Sequence, residues 1–158
     1  MDFNLINVGI ADYTVSSTPD ILRTILGSCV GICLFDPVNK VGGLSHIMLP
    51  QHKLNSSKKK YADSAIPLMV EDMIKENARI ERIIAKIVGG SKMFQVAENS
   101  IMGEIGKNNV IKVREVLESL NISIIAEDVG GDYGRTIDFY LETGEIRIRS
   151  IGKSEIII

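Results

Sequence analysis

Two apolar runs joined by a short turn signal constrain this chain most. They read Val30-Gly31-Ile32-Cys33-Leu34-Phe35, then Asp36-Pro37-Val38-Asn39, then Lys40-Val41-Gly42-Gly43-Leu44-Ser45. The spacing predicts a β-hairpin over about residues 28–49, with Asp36 and Pro37 at the first two positions of a type I turn. If Asp36 pairs with Asn39, Cys29 falls directly opposite His46, where Cβ atoms lie roughly 4.5–5.5 Å apart. A one-residue bulge in the loop would send the two side chains to opposite faces, so both arrangements stand at this stage.

At 158 residues the chain fits one domain, residues 1–158, long enough to bury a substantial core. Hydrophobic residues make up 45% and charged residues 24%, an ordinary globular balance. A formal charge of −2 gives no electrostatic case for nucleic acid or an anionic membrane as partner. No apolar run approaches a bilayer span, and Met1-Asp2-Phe3-Asn4 lacks the basic start of a secretory signal. These features lead to the expectation of a cytoplasmic protein without direct membrane insertion.

Two cysteines, Cys29 and Cys33, are too few for a disulfide framework. On one strand their Cα atoms stand about 13 Å apart at ~3.3 Å per residue, beyond disulfide reach. Cys33 reads as a small core residue. Cys29 is then a single thiol that needs its own explanation.

Elsewhere strand-like and helix-like segments alternate. Residues 4–10 and 12–16 look extended, and Thr18-Pro19-Asp20 punctuates them. Pro50 to Lys60 reads as a mobile surface loop whose Lys58-Lys59-Lys60 run is solvated. Ala62, Ile66, Met69, Val70, Met73 and Ile74 recur at helical spacing over 61–77, although Pro67 disagrees with a helix interior. A strand is expected over 80–88, ending at Gly89-Gly90. Met93, Phe94 and Ile101 are expected core contacts in an otherwise unassigned stretch. Asn108 or Asn109 can cap a helix to about Leu120 with Val110, Val113, Val116 and Leu117 on its apolar face. Three strands should follow near 122–127, 135–141 and 145–151. The expected fold class is α/β, with helices packed on a largely antiparallel or mixed sheet.

A thiol beside an imidazole supports well-defined chemistry. A neighbouring imidazolium lowers the thiol pKa, the thiolate attacks an amide or ester carbonyl, and histidine protonates the leaving group. Gly27 and Ser28 before Cys29 would let backbone and substrate approach closely, and Gly42-Gly43 would keep bulk off the opposing segment. Cys29, Cys33 and His46 lack paired zinc-ligand spacing, so no metal or cofactor is expected. His52 reads as a solvated loop residue. Gly89-Gly90-Ser91-Lys92 lacks the full phosphate-loop pattern and reads as a strand-ending turn.

Together, Leu26-Gly27-Ser28-Cys29-Val30 and Ser45-His46-Ile47-Met48-Leu49-Pro50 resemble the CheD family of chemoreceptor glutamine deamidases. Lys60-Tyr61-Ala62-Asp63, Ala85-Lys86-Ile87-Val88-Gly89-Gly90, Met93-Phe94 and Ala126-Glu127-Asp128-Val129-Gly130-Gly131 extend the resemblance in order through nearly the whole chain. It implies a single-domain α/β sandwich related to deamidating bacterial toxins, without metal. It further implies hydrolysis of selected glutamine amides on methyl-accepting chemotaxis receptors through a thioester, and also of receptor methyl esters.

By the same resemblance Cys29 is the nucleophile, His46 the general base and acid, and Thr24 the candidate third catalytic residue. A CheC-type chemotaxis phosphatase is the implied partner, bound through a surface that mimics the receptor. One departure is Ile105-Gly106-Lys107-Asn108-Asn109, where many relatives carry an arginine, and lysine lacks an arginine's bidentate fork. The alternative reading is a non-catalytic module that regulates such a phosphatase with a vestigial dyad.

Overall fold

The computed structural model describes residues 3–93 and 101–158. Two five-stranded sheets stack face to face. One takes β1 (Leu5–Asn7), β3 (Ile21–Leu26), β8 (Arg135–Tyr140), β9 (Ile146–Arg149) and β10 (Ile156–Ile157) in that order. The other takes β2 (Asp12–Ser17), β5 (Val41–Ile47), β4 (Val30–Asp36), β6 (Ile84–Gly89) and β7 (Ser123–Val129). Pairing is parallel for β1 with β3 and for β6 with β7, and antiparallel elsewhere. Helices α1 (Ala62–Lys75) and α2 (Ile101–Ser119) cover the free face of the second sheet. The α/β expectation with mixed sheets therefore holds.

This layering explains the two apolar runs. The second sheet is the middle layer, and every residue of β4 and β5 is buried. Val30, Ile32 and Leu34 point to the helices, while Cys33 and Phe35 point into the core between the sheets. A strand covered on both faces loses the polar alternation of a half-exposed one. Each fully buried Ile or Leu there stabilises the fold by roughly 1.5–3 kcal/mol.

The hairpin forms in a register other than the expected one. Asp36 pairs with Val41 and Gly31 with His46, leaving a four-residue loop that includes Lys40 in the left-handed region at φ 52°. The cause is the Asp36 carboxylate. Instead of sitting opposite Asn39, it accepts the amides of Val38 (2.9 Å) and Arg79 (3.0 Å) and the Arg82 guanidinium (2.9 Å). The displacement is by two positions, so the facing of side chains is kept. Cys29 lies just outside β4, on the His46 side of the sheet. Gly42 and Gly43 serve packing away from that site. A Cβ on Gly42 would meet Leu141 at 2.5 Å, and one on Gly43 would meet Met69 at 2.7 Å.

Other boundaries shift for tertiary reasons. Ile80–Arg82 is a 3₁₀ turn that delivers Arg82 to Asp36, so the strand begins only at Ile84. Pro67 lies inside α1, which starts at Ala62 and gives up one helical hydrogen bond at the proline. Helix α2 begins well before Asn109, whose side chain makes tertiary bonds and not a cap. Val110, Val113 and Leu117 do face the core, as the periodicity predicts. Met93 is 43% exposed and is not a core residue. Phe94 lies outside the described residues, and of Ile101 only its place at the start of α2 is described. Strands β3 and β10 have no counterpart in the sequence reading.

Candidate active site

The site forms where the two sheets meet at one end. On β3 the inward residues are Leu22, Thr24 and Leu26, all buried against the opposing sheet. On β5 His46 shares a face with the core residue Leu44. Thr24 and His46 are each 4% exposed, and they meet between the layers with Thr24 Oγ1 2.7 Å from His46 Nδ1. Thr24 Oγ1 also lies 2.8 Å from the Val8 carbonyl oxygen.

These two contacts assign the histidine tautomer. The Val8 carbonyl can only accept, so the single hydroxyl proton of Thr24 goes to it. Thr24 Oγ1 must then accept from His46 Nδ1–H. The neutral ring is left with its lone pair on Nε2, the arrangement a general base requires.

Cys29, His46 and Thr24 line one cleft of about 560 Å³, together with Gly27 and Ser28. Val8 and Arg23 contribute to its wall, and Ile10, Ile25 and Met93 form an apolar, exposed rim. The structure thus brings together all five residues singled out in the sequence. Burial pushes the Cys29 thiol up from its ordinary value, opposed by its own backbone amide beside the sulfur. Burial also pushes His46 down to about 4. Both groups are therefore neutral near pH 7, in contrast to the imidazolium–thiolate pair expected from the residue types alone. An attack by this thiol would therefore require proton transfer from Sγ to the imidazole as the bond forms.

The loop carrying Cys29 is held from behind by successive carbonyls. The Gly27 oxygen accepts Ser91 N (3.0 Å), and the Ser28 oxygen accepts Asn109 Nδ2 (3.2 Å). The Cys29 oxygen accepts Gly90 N (2.9 Å). Gly89 and Gly90 adopt φ of 108° and 69°, and a Cβ on Gly89 would strike the Cys29 carbonyl. The Gly89-Gly90 turn is thus a backbone brace for the Cys29 loop. Ser91 is itself fixed by buried Arg135, which donates to Ser91 Oγ (2.7 Å), the Gly130 carbonyl (2.9 Å) and Asp128 (3.0 Å). Sequence reasoning missed Asn109, Ser91 and Arg135 as supports of the site. Only the Gly-Gly-Ser run gave any local sign of them.

Among the described residues, no group of three His, Cys, Asp or Glu side chains is placed to hold a metal ion. His52 stands apart from the cleft, edge-on to Tyr61 with ring centroids 5.4 Å apart. Lys107 pairs weakly with Glu104 at 3.9 Å on the exposed side of α2. No helix among the described residues is long and apolar enough to cross a membrane.

Comparison with known proteins gives concordant matches. The family model described as CheD chemotactic sensory transduction matches residues 48–150, a stretch that starts just after His46. A Caldanaerobacter subterraneus protein named probable chemoreceptor glutamine deamidase CheD is 51% identical over 156 residues, covering 96% of each chain. A Syntrophomonas wolfei protein of the same name is 44% identical over 158 residues, covering 98% of each. A Clostridium botulinum counterpart is 46% identical over 156 residues. Two solved structures share the fold at low identity. The Bacillus licheniformis hypothetical protein YfiH has a TM-score of 0.50 at 18% identity, over 74% of this chain and 49% of that one. A Neisseria meningitidis protein of the DUF152 family has a TM-score of 0.51 at 8% identity, over 82% of this chain and 64% of that one.

Proposed function

The chain belongs to the CheD family, and on that premise we propose that it hydrolyses glutamine side-chain amides of chemoreceptors to glutamate and ammonia, with Cys29 as nucleophile. The observation that carries this reading is the Thr24–His46 contact of 2.7 Å, which leaves Nε2 as an unprotonated base in the cleft that Cys29 lines.

The reaction runs in two halves. As a glutamine amide enters the cleft, His46 Nε2 takes the proton from Cys29 Sγ, and the sulfur attacks the amide carbon. The carbonyl electron pair moves onto oxygen. When it returns, the C–N bond breaks and the His46 imidazolium protonates the departing nitrogen, releasing ammonia and leaving a γ-glutamyl thioester on Cys29. Water then gives a proton to Nε2 and attacks the thioester carbon. The thiol departs with that proton, and the receptor carries glutamate. A glutamyl methyl ester follows the same path with methanol as leaving group.

Thr24 acts on His46 by fixing its tautomer and keeping the ring oriented. Gly27 and Ser28 line the approach to Cys29 and are assigned to substrate contact. The proposal places the reaction on the cytoplasmic parts of the receptors. A CheC-type phosphatase that mimics the receptor would occupy the same cleft, compete with it, and bind equally well to Cys29→Ala. No cofactor is needed at any step.

The test uses a purified receptor cytoplasmic fragment, with ammonia release and glutamine-to-glutamate conversion followed by mass spectrometry. Both should be lost with Cys29→Ala and with His46→Ala. Phosphatase binding without any receptor modification by the intact protein would favour the non-catalytic module instead.

A further inference from the structure

Asn109 is wholly buried in the middle of α2, yet it serves no purpose that a helix interior requires. Its single Nδ2 group donates to two main-chain carbonyls from different segments, Ser28 at 3.2 Å and Met48 at 2.9 Å. Ser28 directly precedes Cys29, and Met48 follows His46 by two residues. One side-chain amide therefore ties the thiol segment to the imidazole segment. Its Oδ1 has no hydrogen-bond partner among the described residues. A buried acceptor left unpaired costs folding free energy, so stability alone does not account for an amide here.

The bond to Ser28 has a stereochemical consequence. The Ser28 carbonyl and the Cys29 N–H belong to one planar trans peptide, so they point in opposite directions. With the carbonyl drawn toward α2, the Cys29 N–H is turned away from the helix and toward the cleft. The Gly27 carbonyl is likewise drawn back, by Ser91 N at 3.0 Å, which turns the Ser28 N–H the same way. Neither amide donates to another described residue, and both Ser28 and Cys29 line the cleft.

We infer that Asn109 is a positioning residue that aims the Cys29 and Ser28 amides into the cleft as an oxyanion hole. This inference rests on the deamidase reading of Cys29. As the C–S bond forms, the amide π electrons collect on the carbonyl oxygen, and the two N–H groups meet that charge without reorganising. Asn109 touches no reacting atom and acts through the peptide it holds. Gly106, one turn earlier, allows this reach. A Cβ there would stand 2.5 Å from the Gly90 carbonyl oxygen and push α2 away from the loop.

The experiment compares wild type, Asn109→Asp and Asn109→Ala on a receptor cytoplasmic fragment, alongside iodoacetamide alkylation of Cys29. Alkylation needs the thiolate but develops no carbonyl oxyanion, so it separates the two roles. Asp keeps the shape of Asn and faces the carbonyls with acceptors only, and Ala serves where Asp prevents folding. The expected result is a kcat lower by roughly 100-fold, the low end of what one oxyanion-hole donor supplies, with KM and the Cys29 alkylation rate at wild-type levels. Wild-type kcat in the folded variants overturns the inference. So does a parallel loss of kcat, substrate affinity and alkylation, which marks general loosening of the site. If wild type releases no ammonia, or Cys29→Ala matches it, the deamidase reading fails and the inference fails with it.

Discussion

Thr24 Oγ1 accepts the Nδ1 proton of His46 across 2.7 Å while passing its own proton to the Val8 carbonyl. The two residues come from different sheets, so the stacking of the sheets itself brings the pair together. The direction of the hydroxyl is imposed from outside, by a carbonyl that can only accept.

This relay makes Thr24 separable into oxygen and methyl. Thr24→Val keeps the shape but removes the acceptor, leaving Nδ1–H and the Val8 carbonyl unpaired. The expected loss in kcat is roughly 100-fold, the low end of what general acid–base catalysis supplies. Thr24→Ser keeps the oxygen and should restore most of the rate. Steady-state ammonia release from a receptor fragment reads both.

With His46 as the proposed base, the acid limb of the pH profile should report its titration. Burial lowers its pKa to about 4 from an ordinary 6.5, so kcat/KM should hold down through mildly acidic pH and fall only as that lower value is approached. Stability follows the same group with a defined sign. Between about 4 and 6.5 the unfolded chain binds a proton at this histidine that the folded chain does not. Stability therefore rises with pH across that window and is lost as pH falls through it. Denaturant midpoints measured across the window should show this slope, and His46→Gln should flatten it.

Cys29 answers in the opposite direction. Burial holds its thiol above the ordinary value. Iodoacetamide alkylation should therefore be slow near neutral pH and keep rising through the alkaline range. A rate already on plateau at neutral pH would indicate a preformed thiolate.

The buried Asp36 should matter for stability more than for chemistry. Burial works to raise its pKa, and the Arg82 guanidinium with the amides of Arg79, Val38 and Asn39 outweighs that, holding it below the ordinary value. Asp36→Asn strips the charge that Arg82 answers and is expected to cost about 3 kcal/mol. Urea unfolding measures the loss, and the activity of the remaining folded fraction should be close to wild type.

Two glycines with similar backbone angles should behave differently. Gly89, at φ 108°, faces the Cys29 carbonyl, so Gly89→Ala combines strain with a backbone collision and should lower both stability and kcat. Gly130, at φ 82°, has nothing within 4 Å of an added Cβ. Gly130→Ala should cost only about 1 kcal/mol of left-handed strain and spare the rate. Thermal melts with parallel activity assays separate the two.

What the sequence reveals here follows the range of the forces involved. The β4–β5 hairpin, the α1 and α2 faces and the last strands are legible because burial imprints local periodicity. The register of the hairpin is not legible. It is set by Asp36 binding Arg82 and Arg79, residues more than 40 positions away in the chain. Strand β3 is masked because Arg23 and Ile25 face outward beside buried Leu22, Thr24 and Leu26, and Thr18-Pro19-Asp20 reads as loop. Cys29 and His46 stand out through motif and residue type. Asn109 does not, because an asparagine at a helical position looks like a cap until its two carbonyl partners are seen.

The central claim, that Cys29 carries the reaction, is tested most directly by acid-quenched mass spectrometry of the protein during turnover of a receptor cytoplasmic fragment. The account predicts a γ-glutamyl thioester to the fragment that maps to Cys29 and disappears with Cys29→Ala along with ammonia release. Undiminished ammonia release from Cys29→Ala, with Cys29 unmodified at every time point in the wild type, would contradict it.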